Sequence, residues 1–168
     1  MKTCDNASVG ILIERDDRFL LFERQTFPPG IAPPAGHIDS HGTPEQAAVA
    51  EVREEVGLTV TSLELLAELW LPNRCRRQPG AKGVGHQWSV FRAEVTGDLA
   101  LGEREARNAA WWTAHDLGWQ ARRTIRSSDG LEPAWCVLLD HLGVIRLHDD
   151  SRKRALELAQ VAPEEVTR

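Results

Sequence analysis

The chain's 168 residues are enough for one domain with a buried core. Its 20 Lys and Arg stand against 25 Asp and Glu, a net charge of −5. This excludes a broad cationic surface for nucleic acid or an anionic membrane, so any phosphate must meet a local basic patch or a bound cation. Cys4, Cys75 and Cys136 are odd in number, far apart and free of any CxxC pair. They indicate neither a zinc knuckle nor a disulfide framework, and a reducing cytoplasm is the simplest setting.

The apolar run Val9–Ile13 is too short for a signal-peptide core or a membrane span and reads as a strand. Ser8–Glu14 and Arg18–Arg24, joined by Asp16-Asp17, predict a hairpin. "TFPPGIAPPAG" that follows has four prolines and two glycines and is expected to be loop. A helix is predicted over Pro44–Val56. Strands are expected within Leu58–Leu71, then a basic Gly/Pro-rich loop over Pro72–Gly85 and a strand at His86–Val95. "TGDLALGEREARNA" reads as loop. "AWWTAHDL" gives a short strand and a helix start near Thr113, Glu132–Gly143 a helix with a glycine stop, and Ser151–Val161 a last amphipathic helix. Strands and helices interleave, so the class is α/β or α+β. One domain is expected over residues 1–147, with residues 148–168 a helical extension packed on it or frayed at its end.

The helix at Pro44–Val56 has the clearest punctuation. Thr43 as N-cap, Pro44 at N1 and Gln46 at N3 make a capping box, and Gly57 supplies the left-handed stop. Glu51, Glu54 and Glu55 share one face, with Val49, Val52 and Val56 on another as the core stripe. Ala47, one turn before the carboxylates, is small enough to leave room for a ligand. Like charges at i,i+3 and i,i+4 each cost a few tenths of a kcal/mol. Glu54 and Glu55 also face the negative end of the helix dipole, about 0.3–1 kcal/mol per exposed charge. The bland alternative is a solvated acidic face. A hard divalent cation, Mg²⁺ or Mn²⁺, would reverse the sign of that account.

The spacing favours the cation. Gly36, Glu51, Glu54, Glu55, Gly57 and Leu58 match the Nudix signature, and the chain resembles a Nudix hydrolase over Gly36–Leu58. Two positions depart from it: Gly42 stands where the signature has Glu, and Ala50 where it has Arg. The resemblance implies an α/β/α sandwich with a mixed central sheet. It also implies metal-dependent cleavage of a diphosphate bond in a nucleoside diphosphate linked to another moiety, a small phosphorylated substrate. It assigns metal binding to Gly36 (through its carbonyl), Glu51, Glu54 and Glu55, and the catalytic role to Glu51 and Glu54. Some relatives draw their base from a later loop, which makes Glu103 and Glu105 candidates. Many relatives dimerise, so a homodimer is a further expectation. A catalytically weak or inactive nucleotide-binding module is the alternative that Gly42 and Ala50 motivate.

Substrate contacts are less marked. Arg24, Arg74 and Arg76 are the candidate phosphate ligands, with Arg77 and Lys82 in the same basic cluster. Trp88 and Phe91 are candidate stacking residues, against the commoner role of core packing. His37 and His41 lie in a turn before the helix, where i,i+4 has no helical meaning, so they are not read as a zinc pair. "GAKGVG" lacks the strand-to-helix context of a phosphate loop.

Overall fold

A computed structural model describes residues 1–163; the expectation for the chain's last five positions lies outside the described residues. Strand β1 (Ala7–Arg15) turns through Asp16 and Asp17, both left-handed, into β2 (Arg18–Arg24). Two consecutive left-handed residues are what a two-residue hairpin turn needs. The hairpin pairs only next to its turn, at Glu14 with Phe19 and Arg15 with Arg18.

Beyond that turn the two strands separate, and the proline-rich segment fills the gap. It is not the plain loop that its four prolines suggest: β3 (Ile31–Ala32) pairs with β2 and β4 (Ala35–His37) with β1. Short edge pairings tolerate proline because few of their N–H groups are needed. The other edge of β1 runs parallel to β6 (His86–Thr96), which pairs antiparallel with the long β5 (Thr59–Leu71). β7 (Ala106–Thr113) pairs with the outer edge of β2 and begins inside the stretch expected to be loop. The result is one mixed seven-stranded sheet, the α+β class expected.

Alternation along β1 divides the core. Val9, Ile11 and Ile13 meet α1 (Pro44–Val56) on one face, together with Leu20, Phe22 and Phe91. Leu12 faces the other side, with Trp88, Val90, α2 (Ala114–Ser127), α3 (Pro133–His141) and α4 (Asp149–Ala159). Helices thus cover both faces. Gly10 is required where β1 passes α3, because a Cβ there would lie 2.5 Å from the Trp135 ring. Ala155 and Ala159 of α4 are buried in this second core layer, so α4 packs against the helices of that face. No helix among the described residues is long and apolar enough to cross a membrane.

Candidate active site

α1 has the boundaries its sequence predicts. Thr43 accepts from Gln46 N–H while the Gln46 side chain accepts from Thr43 N–H, and Gly57 closes the helix at φ 72°. Its faces differ from expectation. Val49 is 43% exposed, whereas Ala47 and Ala48 are fully buried beside Val52 and Val56. The buried stripe is rotated toward Ala47, so that residue packs core and leaves no ligand space. Each fully buried valine contributes about 1.5–3 kcal/mol.

The rotation also brings Glu51 and Glu55 inward, 7% and 3% exposed, while Glu54 stays at the surface. Glu55 Oε2 accepts from Ala35 N–H at 2.9 Å, which ties the helix to β4. Glu51 lies against Gly36: a Cβ at that position would sit 2.0 Å from Glu51 Oε1. Gly36 is therefore needed for space. Gly42 sits at φ 101°, where a Cβ would meet the Gln46 side chain. A glutamate there would be strained, which accounts for one departure from the signature.

A cleft of about 210 Å³ opens over these groups, lined among others by Arg24, Gly36, Asp39, His41, Glu51, Glu54, Glu55, Arg76, Arg77 and Glu105. A larger cleft of about 890 Å³ lies among α2, α3 and α4, but its one acid, Asp140, is paired with Arg152. The smaller cleft is where the carboxylates gather. Within it, carboxylate oxygens of Glu51, Glu55 and Glu105 all lie within 4.8 Å of one another, and His41, Glu51 and Glu54 form a second such group. Of the two late-loop candidates the fold brings in Glu105; Glu103 is exposed and lines no part of the cleft.

The electrostatics follow from burial. Desolvation, reinforced by Glu54 and Glu105, raises Glu51 to about 7, and the Arg24 guanidinium opposes the rise. Desolvation raises Glu55 well above the ordinary range, again against Arg24. Arg24 thus acts on both acids from β2. Arg53, on the same helix as the three carboxylates, is exposed and is not among the groups that shift Glu51.

The basic cluster separates. Arg77 grips Asp39 through two hydrogen bonds, 2.6 and 2.7 Å, which hold that carboxyl well below its usual range. Arg74 donates from Nε to Gln160 O at 2.9 Å, beyond the end of α4. Arg76 is exposed, 3.7 Å from Glu105, and Lys82 lines no part of the cleft. Trp88 borders a small adjoining cavity of about 50 Å³ that also contains Arg24, Gly36, Arg74 and Glu132. Phe91, three residues on along β6, points to the opposite face and is 2% exposed beneath α1, so it cannot stack on a ligand.

Glu132 was not foreseen. It is fully buried, raised by desolvation to about 6, and its carboxylate lies 4.0 Å from Arg24. In the sequence it reads only as the residue before a helix-starting proline. Asp39 and His41 were also overlooked as cleft residues, because they fall in a turn without periodicity.

The NUDIX domain family model matches residues 5–132. Over 112 residues the chain is 33% identical to the NAD-capped RNA hydrolase NudC of Pseudomonas aeruginosa, covering 66% of this chain and 37% of that protein. Over 108 residues it is 31% identical to the RNA pyrophosphohydrolase of Halorhodospira halophila, covering 60% of each. The chain thus spans less than two thirds of the length of these relatives. The fold is similar to that of a MutT NUDIX hydrolase from Burkholderia pseudomallei, with a TM-score of 0.56 at 22% identity over 69% of this chain and 87% of that one. It is also similar to a MutT protein from Methanosarcina mazei Go1, with a TM-score of 0.60 at 17% identity over 85% and 96%. Sequence model, relatives and fold agree, and the chain belongs to the NUDIX domain family.

Proposed function

We propose that the chain is a metal-dependent hydrolase that cleaves a diphosphate bond in a nucleoside diphosphate linked to another moiety. The observation that carries this reading is the convergence of Glu51, Glu55 and Glu105 in one cleft. Carboxylates this close, with Glu51 and Glu55 buried, must take up protons or share a cation. The donors are all oxygen, which suits Mg²⁺ or Mn²⁺ over softer metals. Glu51, Glu54, Glu55 and the Gly36 carbonyl would hold the ion, with Glu105 beside them. When bound, such an ion neutralises the diphosphate and lowers the pKa of water.

The chain's own residues supply the rest. Glu51 accepts the proton of the attacking water, and Glu105 is the competing base. Arg24 and Arg76 bind phosphate oxygens, while Arg77 orients Asp39 at the rim. Trp88 borders the adjoining cavity, where an aromatic edge can meet a base. The names of the relatives extend the substrate panel from small nucleotides to capped RNA.

The test is release of phosphate, diphosphate or nucleotide from nucleoside triphosphates, nucleotide sugars, dinucleotides and NAD-capped RNA, with Mg²⁺ or Mn²⁺. Turnover that needs the metal and disappears in Glu54→Gln plus Glu55→Gln supports the reading. Ala50, in place of the signature arginine, is the feature that favours a binding-only module. Tight binding without turnover across the panel would establish that alternative.

A further inference from the structure

At the wall of the acidic cleft, which His37 and Cys75 also line, the N-terminal segment, β4, loop 72–85 and the start of β6 bring four soft or borderline donors together. One ligand atom from each of Cys4, His37, Cys75 and His86 lies within 4.8 Å of all the others. Cys4 Sγ is 3.5 Å from His37 Nε2 and 3.1 Å from His86 Nε2. A tetrahedron with zinc–sulfur bonds of about 2.3 Å and zinc–nitrogen bonds of about 2.0–2.1 Å has edges of about 3.3–3.8 Å. The Cys4–His37 distance has that scale, the Cys4–His86 distance is slightly shorter, and the remaining pairs lie within 4.8 Å.

The partners around it select ligand states. Trp88 Nε1 is only a donor, so the Asn73 atom it meets at 3.1 Å is the carbonyl oxygen. That same oxygen is 3.0 Å from His86 Nδ1. Nδ1 therefore carries the proton, and in the neutral ring the lone pair on Nε2 faces Cys4. An outer partner that fixes a histidine tautomer in this way is characteristic of metal ligands. Asn6 N–H donates to Cys4 Sγ at 3.3 Å, which opposes the rise that burial imposes on the thiol.

Backbone ties hold the donors in place without help. Cys4 N–H donates to Gln78 O at 2.9 Å, and the Asn6 side chain donates to Gly83 O and Gly85 O at 2.9 and 2.7 Å. The cavity beside Cys4, Cys75 and His86 is about 10 Å³, room for an ion and not for a molecule. Asp39 and Arg77 nearby are consumed by each other.

We propose that Cys4, His37, Cys75 and His86 form a closed tetrahedral zinc site that adjoins the oxygen-lined cleft and shares no ligand with its carboxylates. Four protein ligands leave no open position, so the ion is structural. It joins the N-terminal segment and loop 72–85 to His37, the residue after Gly36, and so sets the height of Arg76 and Arg77 over the cleft. The nitrogen and sulfur donors select zinc over Mg²⁺, as the oxygen donors next door select the reverse.

The test uses the full chain, expressed with zinc, kept reduced and desalted. Elemental analysis is expected to give about one zinc per chain. Replacement by Co²⁺ should give visible tetrahedral bands and near-ultraviolet thiolate-to-cobalt charge transfer. Cys75→Ser, at a half-buried position, should lose both signals, while Cys136→Ala and Glu54→Gln keep them. If Cys75→Ser does not fold, the charge-transfer intensity of the wild type, expected for two thiolates, decides instead. Reduced wild-type protein that retains no zinc, or cobalt bands that survive Cys75→Ser, would overturn the site. A Cys4–Cys75 disulfide whose reduction restores no metal binding would overturn it equally.

Discussion

Glu51 makes the metal-free protein sensitive to pH in a definite direction. Its folded value of about 7 lies above the ordinary 4.5, chiefly through desolvation. Between those values the folded chain binds more protons than the unfolded chain, so stability falls as pH rises through the interval and levels off above it. The interval from 4.5 to about 7, at about 1.4 kcal/mol per pH unit, makes ionised Glu51 cost about 3 kcal/mol in the folded state without metal. Other groups move as well. His37 and His86, held down to about 4 by burial, weaken the fold as pH falls from 6.5. The comparison of wild type with Glu51→Gln cancels them.

The assay is denaturant unfolding of exhaustively metal-depleted protein at a series of pH values. Glu51→Gln should gain up to about 3 kcal/mol on wild type between about pH 4.5 and pH 7.5. Mg²⁺ or Mn²⁺ at about 100 times its dissociation constant should then return about 2.7 kcal/mol to wild type and less to the variant. A difference that stays flat with pH would refute the burial argument, since Glu51 would then ionise as freely folded as unfolded.

The other predictions concern geometry. Gly36→Ala pushes the flexible end of Glu51 aside, because the new Cβ would lie 2.0 Å from Oε1; kcat/KM should fall about 100-fold while Tm moves by only a few degrees, seen by steady-state kinetics beside a thermal melt. Glu105→Gln should lower kcat about 100-fold or more and Glu103→Gln should leave it unchanged, because only the former reaches the cleft; equal losses would place the loop differently. Thr43→Ala removes the side-chain half of the capping box, the bond from Gln46 N–H to Thr43 Oγ1, and should cost about 1 kcal/mol in unfolding free energy.

Local chemistry made much of this molecule legible. The cap and stop of α1, the Asp16-Asp17 hairpin and the start of α2 at Thr113 are all decided by residues within one turn of them, and all stand where the sequence puts them. What depended on distant partners was hidden. Prolines in Thr26–Gly36 argue against helix, but nothing local shows that β1 and β2 separate and accept two short strands between them. Val49 has the same apolar character as Val52; only the rotation of α1 over the sheet exposes one and buries the other. Phe91 and Trp88 differ by an odd number of positions along β6, so they must face opposite sides, and the choice between the two sides belongs to the sheet. Cys4, His37, Cys75 and His86 show no metal-binding spacing because their proximity is made by four separate segments.

The missing signature arginine illustrates the same point and bears on the chemistry. Arg24 comes from β2 and acts on Glu51, Glu55 and Glu132 at once. One guanidinium cannot balance three buried carboxylates. If all three ionise, two negative charges remain uncompensated in a region largely closed to water, and the proton uptake of Glu51 and Glu55 is the response of the metal-free chain. Two charges are what a divalent cation carries. An additional arginine at position 50 would reduce that deficit, and with it part of the attraction for metal. Ala50→Arg is therefore a substitution in which steadier positioning of Glu51 and a weaker demand for the cation oppose each other, and titration of activity with Mg²⁺ separates them: the first raises kcat at saturation, the second raises the metal concentration at half-saturation.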